Sequence, residues 1–321
     1  MKRLRCAILD DYQHAALTSA DWSVISDAVD VDAYHEHFAT EESVVRALVD
    51  HDIVVAMRER TPFPASTLQQ LRNLKLLITT GMHNAAIDVE TAREHGIMVC
   101  GTGSQSAPPA ELTFALILGL ARHLAVENDS FHNNGPWQQS VGTDLFGKTI
   151  GLLGLGKIGG QVARVANAFG MRVVAWSENL TESRAEEVGA IRLNQMDDVL
   201  CESDFVSIHL RLSERTRGLL GEKELRAMKS SAYLINTSRG AIVEENALIL
   251  ALEHGWIAGA GLDVFESEPL PQNHVLRTLN NVLATPHLGY VTDSNYRIYY
   301  QDAIEDIQAF LAGTPIRRVD E

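Results

Sequence analysis

Short apolar runs alternate with polar, helix-like stretches through the first hundred residues. Apolar residues between positions 44 and 49 recur at helical spacing. Strands that alternate with helices predict a parallel sheet covered on both faces. Four runs predict its buried strands because they are short and rich in Val, Ile and Leu: CAIL (6–9), DIVVAM (52–57), LKLLIT (74–79) and IMVC (97–100).

A continuous helical pattern from Ala110 to about His132 follows Pro108 and Pro109, and a second alternation of strands and helices begins after it. The chain then closes with a helical stretch from about 294 to 311. These patterns predict two α/β units joined by a long helix. The strand candidates of the second unit are TIGLLG (149–154), RVVAW (172–176), DFVSIHL (204–210), AYLIN (232–236), GAGLDV (259–264) and NVLAT (281–285).

Length and charge narrow the class of protein. At 321 residues the chain exceeds a comfortable single core, so two domains are expected. The net charge of −15 argues against a nucleic-acid partner, because phosphates need a basic face. An anionic substrate must therefore be attracted by a local basic site.

The cysteines and the apolar runs bear on the compartment. Cys6, Cys100 and Cys201 form no CxxC pair and no Cys/His cluster with ligand spacing, so we expect buried free thiols and no metal site. The opening segment is too short for a signal-peptide core, and no apolar run of 18 residues occurs. The sequence thus predicts a cytoplasmic protein with no membrane partner.

A glycine turn follows the first strand candidate of the second unit. The string GLGKIGG (154–160) opens into a helical run, and a second strand ends about 20 residues later. Gly154 permits the tight turn, Gly156 lets the backbone approach a pyrophosphate, and Gly159 allows helix and strand to pack closely. The unpaired N–H groups of the helix N-terminus favour a bound diphosphate. This context predicts dinucleotide binding, the alternative being a turn that only packs.

The residue after the second strand bears on the choice between NAD and NADP. The position usually held by an acid is Ser177, and the acid comes one place later, at Glu178. A carboxylate there accepts hydrogen bonds from the ribose hydroxyls and repels a 2′-phosphate. No Arg or Lys follows until Arg184, so we expect NAD rather than NADP, with NADP left possible. Glu178 as a solvated loop acid stays open as an alternative.

Three further strings each follow an apolar strand candidate: NTSRG (236–240), GLDVFESEPL (261–270) and TPHLGY (285–290). Ligands bind at the carboxyl ends of parallel strands, so an Arg, a Glu and a His would meet at one edge. Together they suit hydride transfer, in which a base takes the proton of a hydroxyl group as hydride leaves its carbon.

With AELTFALILGLAR (110–122) and DLFGKTIGLLGLGKIG (144–159), these strings make the chain resemble the D-isomer-specific 2-hydroxyacid dehydrogenases over essentially its whole length. The resemblance implies two flavodoxin/Rossmann-like doubly wound parallel-sheet domains. Residues 1–106 and 295–321 would form a substrate domain completed by the C-terminal helix, and residues 107–294 the NAD(P)-binding domain. It also implies a homodimer that acts on a small 2-oxoacid or 2-hydroxyacid.

The resemblance assigns the catalytic roles to Arg239, Glu268 and His287. A guanidinium binds a carboxylate through paired charge-assisted hydrogen bonds and polarises the 2-oxo group. Imidazole titrates near neutrality, and a neighbouring carboxylate favours its protonated form. The alternatives are that Arg239 forms a surface ion pair, that Glu268 is a loop acid and that His287 is a packed histidine.

The resemblance also assigns the binding residues. His209 would be structural. A glycine-rich substrate loop is typical of the family, but here TTGMHNAAID (79–88) has one glycine, so substrate identity does not transfer. The substrate would contact Arg58, Gly81, Met82 and His83, although Arg58 can also be interpreted as a solvated loop arginine. The cofactor would contact Gly154, Gly156, Lys157, Ile158, Gly159, Ser177, Glu178, Leu210, Thr237, Ser238, Asp263 and Gly289.

Other functions on the same fold remain open. Formate dehydrogenases pair their histidine with glutamine, which Glu268 argues against. Phosphite oxidation keeps the Glu–His pair. A non-enzymatic corepressor that senses NADH retains the same three residues, although the chain lacks long disordered flanks around its core.

Overall fold

The computed structural model describes residues 3–319, which divide into two compact units. The first is drawn from Met1–Gln105 and Thr292–Glu321, and the second from Ser106–Val291. Each unit has its own parallel sheet. The chain is therefore an α/β protein, as the alternation of strands and helices predicts. Each unit is a Rossmann-like fold with helices on both faces of a parallel sheet.

The first unit has a five-stranded sheet in the order β2-β1-β3-β4-β5. All of its strand pairs are parallel. This is the flavodoxin-like order, in which the chain winds to one side of β1 and then to the other. The strands are β1 (Leu4–Ile8), β2 (Val29–Ala33), β3 (Ile53–Ala56), β4 (Leu76–Thr79) and β5 (Met98–Gly101).

Helices cover this sheet and bury its apolar strands. The central strands β3 and β4 are buried at every position, as expected of a sheet covered on both faces. Capping side chains fix the helix starts, since Thr40 and Asp88 accept hydrogen bonds from the backbone of their first turns. The helices are α1 (Ala16–Ser19), α2 (Glu41–Leu48), α3 (Ala65–Leu68), α4 (Val89–Glu94) and the C-terminal α12 (Asp293–Leu311).

Strand β2 was not expected from its sequence, VDVDA. It lies at the sheet edge, and its acidic residues alternate with the valines. Asp30 and Asp32 form ion pairs with Arg3 and Arg5 of the β1 segment at 3.0 Å. An edge strand buries one face only, so a search for continuous apolar runs misses it.

The second unit has a seven-stranded parallel sheet in the order β12-β11-β10-β9-β6-β7-β8. From β6 the chain winds outward through β7 and β8, and then returns to the other side through β9, so β6 and β9 flank the switch point where ligands bind. The strands are β6 (Thr149–Leu153), β7 (Arg172–Trp176), β8 (Ile191–Arg192), β9 (Phe205–Ile208), β10 (Tyr233–Asn236), β11 (Gly259–Leu262) and β12 (Val282–Ala284).

Two apolar clusters lie on the two faces of this sheet. One contains α5 and α7, and the other contains α9, α10 and α11. The helices are α5 (Ala107–Ala121), α6 (Leu124–His132), α7 (Lys157–Ala168), α8 (Glu182–Glu187), α9 (Met196–Glu202), α10 (Glu222–Ala227) and α11 (Glu245–Glu253).

The continuous helix predicted from Ala110 to His132 is wrong in two respects. It begins earlier, at Ala107, so that Pro108 and Pro109 lie inside its first turn, where their missing N–H groups cost nothing. It also breaks at His123, whose positive φ of 50° separates α5 from α6 by a bend of 66°. Of the helices in residues 3–319, none alone is long and apolar enough to cross a membrane, and α5 and α6 meet that test only as this bent pair.

The prediction of buried thiols is correct for two of the three cysteines. Cys6 and Cys100 are buried in the first unit, but Cys201 is exposed near the end of α9. Helix α9 buries Val199 and Leu200 and turns the next residue outward. Burial of the Cys6 thiol raises its pKa strongly, which keeps that side chain protonated.

Candidate active site

The loops that carry the predicted site residues of the second unit all follow the carboxyl ends of its strands. Because every pair in the sheet is parallel, these loops lie along one edge. The glycine turn follows β6, the NTSRG loop follows β10, the loop with Glu268 follows β11, and His287 follows β12. The last three strands are neighbours in the sheet.

Two glycines of the turn are required by the protein itself. Gly154 has a φ of 100°, and a Cβ there would lie 2.7 Å from the carbonyl oxygen of His209. A Cβ on Gly159 would overlap the carbonyl oxygen of Gly154, because helix α7 packs closely on the turn. These contacts match the roles expected of the first and third glycines.

Gly156 is not required by packing, since a Cβ there would meet nothing within 4 Å. It is the N-cap of α7, and no side chain caps that helix. The first N–H groups of α7, including those of Lys157 and Ile158, therefore have no partner within the helix. An open glycine before free helix N–H groups fits a dinucleotide pyrophosphate.

Arg184 stabilises the glycine turn from outside, a contact that the sequence does not reveal. Its Nε donates to the carbonyl oxygen of Leu155 and its Nη2 to that of Gly156, both at 3.0 Å. Its Nη1 is paired with Glu187 at 2.7 Å. The guanidinium is thus committed to the loop. Arg184 lies 29 residues after Leu155 in the sequence, so no local motif indicates this contact.

His209 lies beneath the turn and does not titrate near neutrality. Burial lowers its pKa to about 4, so the ring is neutral at physiological pH. Its Nε2 is 3.0 Å from the hydroxyl of Ser207. A Cβ on Gly159 would lie 3.3 Å from the His209 side chain. These contacts support the expected structural role.

Ser177 and Glu178 follow β7 directly, as the motif spacing predicts. Glu178 is not a lone loop acid, because Arg215 Nη1 donates to its Oε2 at 2.6 Å. Arg215 belongs to the loop after β9, 37 residues further along the chain. No Arg or Lys follows Glu178 in the sequence until Arg184, so the cation that Arg215 places beside Glu178 is a contact that the sequence does not reveal.

The NTSRG loop is held by hydrogen bonds from both sides. The Ser238 hydroxyl donates to the carbonyl oxygen of Leu210, which joins two predicted cofactor residues. The hydroxyls of Thr237 and Thr113 are 2.9 Å apart, and Thr113 belongs to α5. Asn236 donates through Nδ2 to the carbonyl oxygen of Arg239 at 3.0 Å. Thr113 is a contact that sequence reasoning missed.

Arg239 and its neighbour Gly240 bring two loops together. Arg239 is partly exposed, and its Nη1 donates to the carbonyl oxygen of Ser238 at 2.8 Å. A Cβ on Gly240 would overlap the backbone of Phe265, which belongs to the loop after β11. Only glycine permits this approach, so it fixes the arginine loop against the loop that carries Glu268.

Glu268 and His287 form a direct pair. The Nδ1 of His287 donates to Glu268 Oε2 at 2.6 Å, and the side chains are 20% and 32% exposed. The other carboxylate oxygen, Oε1, accepts from the Phe265 N–H at 2.8 Å. The ring of Tyr290 lies edge-on to the imidazole at 5.3 Å. With Nδ1 committed to the carboxylate, Nε2 is the nitrogen left to exchange a proton with a substrate.

Asp263 holds the turn that contains His287. Its Oδ1 accepts from the Thr285 hydroxyl and the Leu288 N–H at 2.6 Å, and its Oδ2 accepts from the Gly289 N–H at 2.9 Å. His287 itself has a positive φ of 54°, which is costly for a residue with a side chain. Burial raises the pKa of Asp263, while these hydrogen bonds oppose the rise. Asp263 thus stabilises the strained turn that contains His287, a role separate from its predicted contact with the nicotinamide.

The predicted substrate residues belong to the first unit. Arg58 has a φ of 52°, and its guanidinium lies against Gly81, where a Cβ would overlap Nη1. The Gly81 N–H donates to the Thr102 hydroxyl at 2.8 Å. Met82 and His83 are exposed, and both line a cavity of about 420 Å³. Arg58 and the Gly81 loop therefore lie together at the carboxyl ends of β3 and β4, and Arg58 Nε is 3.8 Å from Glu59 Oε2.

Comparison with known proteins identifies the class of fold and chemistry. A family model described as the D-isomer specific 2-hydroxyacid dehydrogenase NAD-binding domain matches residues 114–289. The chain is 42% identical over 256 residues to a glyoxylate reductase of Aeropyrum pernix, covering 77% of this chain and 76% of that one. It is 34% identical to a D-3-phosphoglycerate dehydrogenase of Methanocaldococcus jannaschii, covering 85% of this chain and 52% of that one.

The comparison of structures covers both units. The crystal structure of a phosphoglycerate oxidoreductase from Vibrio cholerae superposes with a TM-score of 0.92 at 35% identity, covering 97% of this chain and 99% of that one. A glyoxylate reductase from Paecilomyes thermophila gives a TM-score of 0.76 at 28% identity, with 99% of each chain covered.

Proposed function

This chain belongs to the D-isomer specific 2-hydroxyacid dehydrogenases and uses NAD(H), and from that premise we propose that it reduces small 2-oxoacids to D-2-hydroxyacids. The observation that carries the proposal is the hydrogen bond of 2.6 Å between His287 Nδ1 and Glu268 Oε2. It holds an imidazole in one tautomer at the sheet edge where the NTSRG loop also lies.

His287 is the acid and base of the proposed reaction. Bound NADH would supply the hydride that the carbonyl carbon of the substrate accepts. Protonated His287 gives its Nε2 proton to the carbonyl oxygen as the negative charge develops there. The Glu268 carboxylate stabilises the imidazolium before transfer and keeps the ring oriented after it. In the oxidative direction neutral His287 takes the hydroxyl proton.

Arg239 binds the substrate carboxylate and polarises the 2-oxo group. A guanidinium presents several N–H donors in a fixed plane, which suits two acceptors on adjacent carbon atoms. Its backbone is fixed by Asn236, and Gly240 fixes the loop that follows. We further propose that Arg58 supplies positive charge to the substrate in a protein whose net charge is −15, and that Gly81, Met82 and His83 shape the pocket.

The nucleotide binds along the edge formed by the glycine turn and the loops after β7, β9 and β10. The N–H groups of Lys157 and Ile158 would hold the pyrophosphate, which the open position of Gly156 supports. Glu178 would accept hydrogen bonds from the ribose. The remaining proposed contacts, toward the nicotinamide half, are Leu210, Thr237, Ser238, Asp263 and Gly289.

An initial-rate panel tests the reaction. Purified enzyme is assayed with NADH or NADPH against glyoxylate, hydroxypyruvate, pyruvate, phenylpyruvate and 3-phosphohydroxypyruvate. The first and last are included because glyoxylate reductases and D-3-phosphoglycerate dehydrogenases are among the relatives. His287→Ala should lower turnover on the best substrate by about 10² to 10⁴-fold, the usual share of general acid catalysis. Turnover near the wild-type rate would remove His287 from the mechanism.

The same panel separates the alternative functions. A formate dehydrogenase pairs its histidine with glutamine, so the Glu268–His287 pair argues against formate as substrate. Phosphite with NAD⁺ is added as a further arm, because that chemistry keeps the pair. A corepressor would bind NADH by fluorescence titration and turn over none of the acids. Turnover of any 2-oxoacid would exclude a non-enzymatic corepressor.

We propose that the protein is a homodimer and that the segment from 124 to 146 forms the interface. This segment exposes large apolar side chains to an extent that isolated soluble proteins rarely show: Leu124, Val126, Phe131, Trp137, Val141 and Phe146, the last three more than 80% exposed. A second copy offers the same apolar face, and a two-fold axis pairs such a face with itself.

A further inference from the structure

The loops after β7 and β9 meet at the ribose end of the nucleotide edge. Arg215 Nη1 donates to Glu178 Oε2 at 2.6 Å, and the two side chains are 73% and 62% exposed. Strand β6 lies between β7 and β9 in the sheet, so both loops border the glycine turn. The structure thus places a guanidinium on the carboxylate that the motif aligns with the adenosine ribose.

An ion pair this exposed contributes little to stability and is screened by salt. Its exchange for another partner is therefore inexpensive. While the pair is formed, the guanidinium offsets the charge with which Glu178 would repel a 2′-phosphate. When the pair opens, the guanidinium can bind a phosphate through two parallel hydrogen bonds, its strongest kind of contact.

Arg184, the next cation after Glu178 along the sequence, is committed elsewhere. Two of its nitrogens donate to carbonyl oxygens of the glycine turn, and the third is paired with Glu187. Using it for a 2′-phosphate would release the turn. At the acid's usual position Ser177 offers a neutral hydroxyl, which adds no repulsion.

We propose that Glu178 and Arg215 form an exchangeable pair that lets one ribose site accept both NADH and NADPH. With NADH, Glu178 accepts hydrogen bonds from the ribose hydroxyls and keeps Arg215 as its neighbour. With NADPH, the 2′-phosphate takes the place of the Glu178 carboxylate on Arg215. The inference rests on nucleotide binding and not on the proposed reaction, so failure of the 2-oxoacid panel would leave it standing.

Binding measurements without substrate test the pair. The dissociation constants of NADH, NADPH and the fragment adenosine 2′,5′-bisphosphate are measured by calorimetry for the wild type, Arg215→Ala and Glu178→Gln. Arg215→Ala should weaken NADPH and the fragment about 10- to 100-fold, the loss expected for a charged hydrogen-bonded contact, and NADH less than about threefold. Glu178→Gln should weaken NADH and strengthen NADPH.

A matched control lies at the other end of the same strand. Arg172, at the start of β7, is paired with Glu202 at 2.6 Å, and its side chain is 45% exposed, against 73% for Arg215. Arg172→Ala removes the same charge and a pair of the same length, and it should leave all three constants unchanged.

Three outcomes would overturn the proposal. The first is an equal loss of NADH and NADPH affinity in Arg215→Ala, and the second is an Arg172→Ala effect as large as that of Arg215→Ala. The third is wild-type NADPH binding more than about 100-fold weaker than that of NADH. Arg215→Lys, which keeps the charge without the fork, should lie between the wild type and Arg215→Ala for NADPH.

Discussion

His287 Nδ1 and Glu268 Oε2 lie 2.6 Å apart, a charge-assisted hydrogen bond between two loops that follow neighbouring strands. Glu268→Gln replaces the carboxylate by a neutral amide of the same shape. The imidazolium that donates the proton then loses the neighbouring charge that stabilises it, so kcat for 2-oxoacid reduction should fall by about tenfold.

The measurement is kcat with the best substrate. Glu266→Gln, an exposed acid two residues away, serves as the control and should leave kcat unchanged. A Glu268→Gln variant with the kcat of the wild type would show that Glu268 orients the ring without stabilising its charge.

Arg239→Lys keeps a positive charge but removes the planar fork. The kcat/KM for 2-oxoacids should fall by about 10- to 100-fold, because one of two charge-assisted hydrogen bonds to the substrate is lost. NADH affinity should change little. Arg226→Lys, at an exposed arginine of α10, is the control. Unchanged kcat/KM in Arg239→Lys would contradict the carboxylate-binding role.

Asp263→Asn tests how the His287 turn is held. An amide nitrogen cannot accept the N–H of Leu288 or Gly289, so one of those groups loses its partner. The reacting imidazole then loses its fixed position, and turnover should fall by about 10- to 100-fold. Hydrogen exchange of residues 285–290 should accelerate.

Thr285→Val provides a graded comparison, because it removes one of the three hydrogen bonds to Asp263 and leaves the carboxylate in place. Its effect on turnover and exchange should be smaller. If exchange stays slow in Asp263→Asn while turnover falls, the aspartate acts on the bound reactants and not on the turn.

Asp306 in α12 makes the stability of the first unit depend on pH. Burial raises the pKa of its carboxyl to about 7, although Arg317 opposes the rise, with Nε 3.0 Å from Oδ1. Asp302 and Glu305 add to the rise. A folded-state pKa above the ordinary value of 3.8 means that the folded protein binds the extra proton. This contribution is complete below about pH 4 and is lost as the pH rises to about 7.

Asp306→Asn mimics the protonated form at every pH. The decrease in Tm between pH 5 and pH 8 should therefore be smaller in the variant than in the wild type, by roughly 3 °C. Thermal melts at the two pH values measure it. Asp27→Asn, at an exposed acid of the same unit, makes the same change in charge and should retain the wild-type difference. An undiminished decrease in Asp306→Asn would contradict the assignment.

The proposed dimer depends on apolar contacts of the 124–146 segment. Trp137→Ser combined with Val141→Ser removes its two most exposed apolar side chains apart from Phe146. Sedimentation velocity should show conversion from a dimer to a monomer of about half the mass. Leu17→Ser, at a half-exposed leucine of the first unit, should remain dimeric. A wild type that sediments as a monomer would refute the interface itself.

The amino-acid sequence by itself determined the fold class and the order of the chemical strings. Buried parallel strands must be short continuous apolar runs, so their positions are visible without a structure. Each string follows such a run, and parallel strands deliver their carboxyl ends to one edge. Gly154 and Gly159 were equally recognisable in the sequence, because a Cβ at either position would overlap a backbone oxygen.

Local departures from the pattern of apolar runs and helical spacing could not be predicted from the sequence. The edge strand β2 alternates apolar and acidic residues and buries one face only, and the break at His123 leaves no mark in a helical pattern that continues on both sides. The exposure of Cys201 likewise depends on which face α9 turns to the sheet.

Contacts between distant segments were decided by the tertiary structure alone. Arg215 reaches Glu178 across 37 residues, Arg184 reaches the glycine turn across 28, and Asp263 binds the His287 turn across 26. The order of strands in the sheet brings these loops together, and that order is set by the packing of the whole unit. A motif specifies which residues are available, but the sheet decides which of them touch.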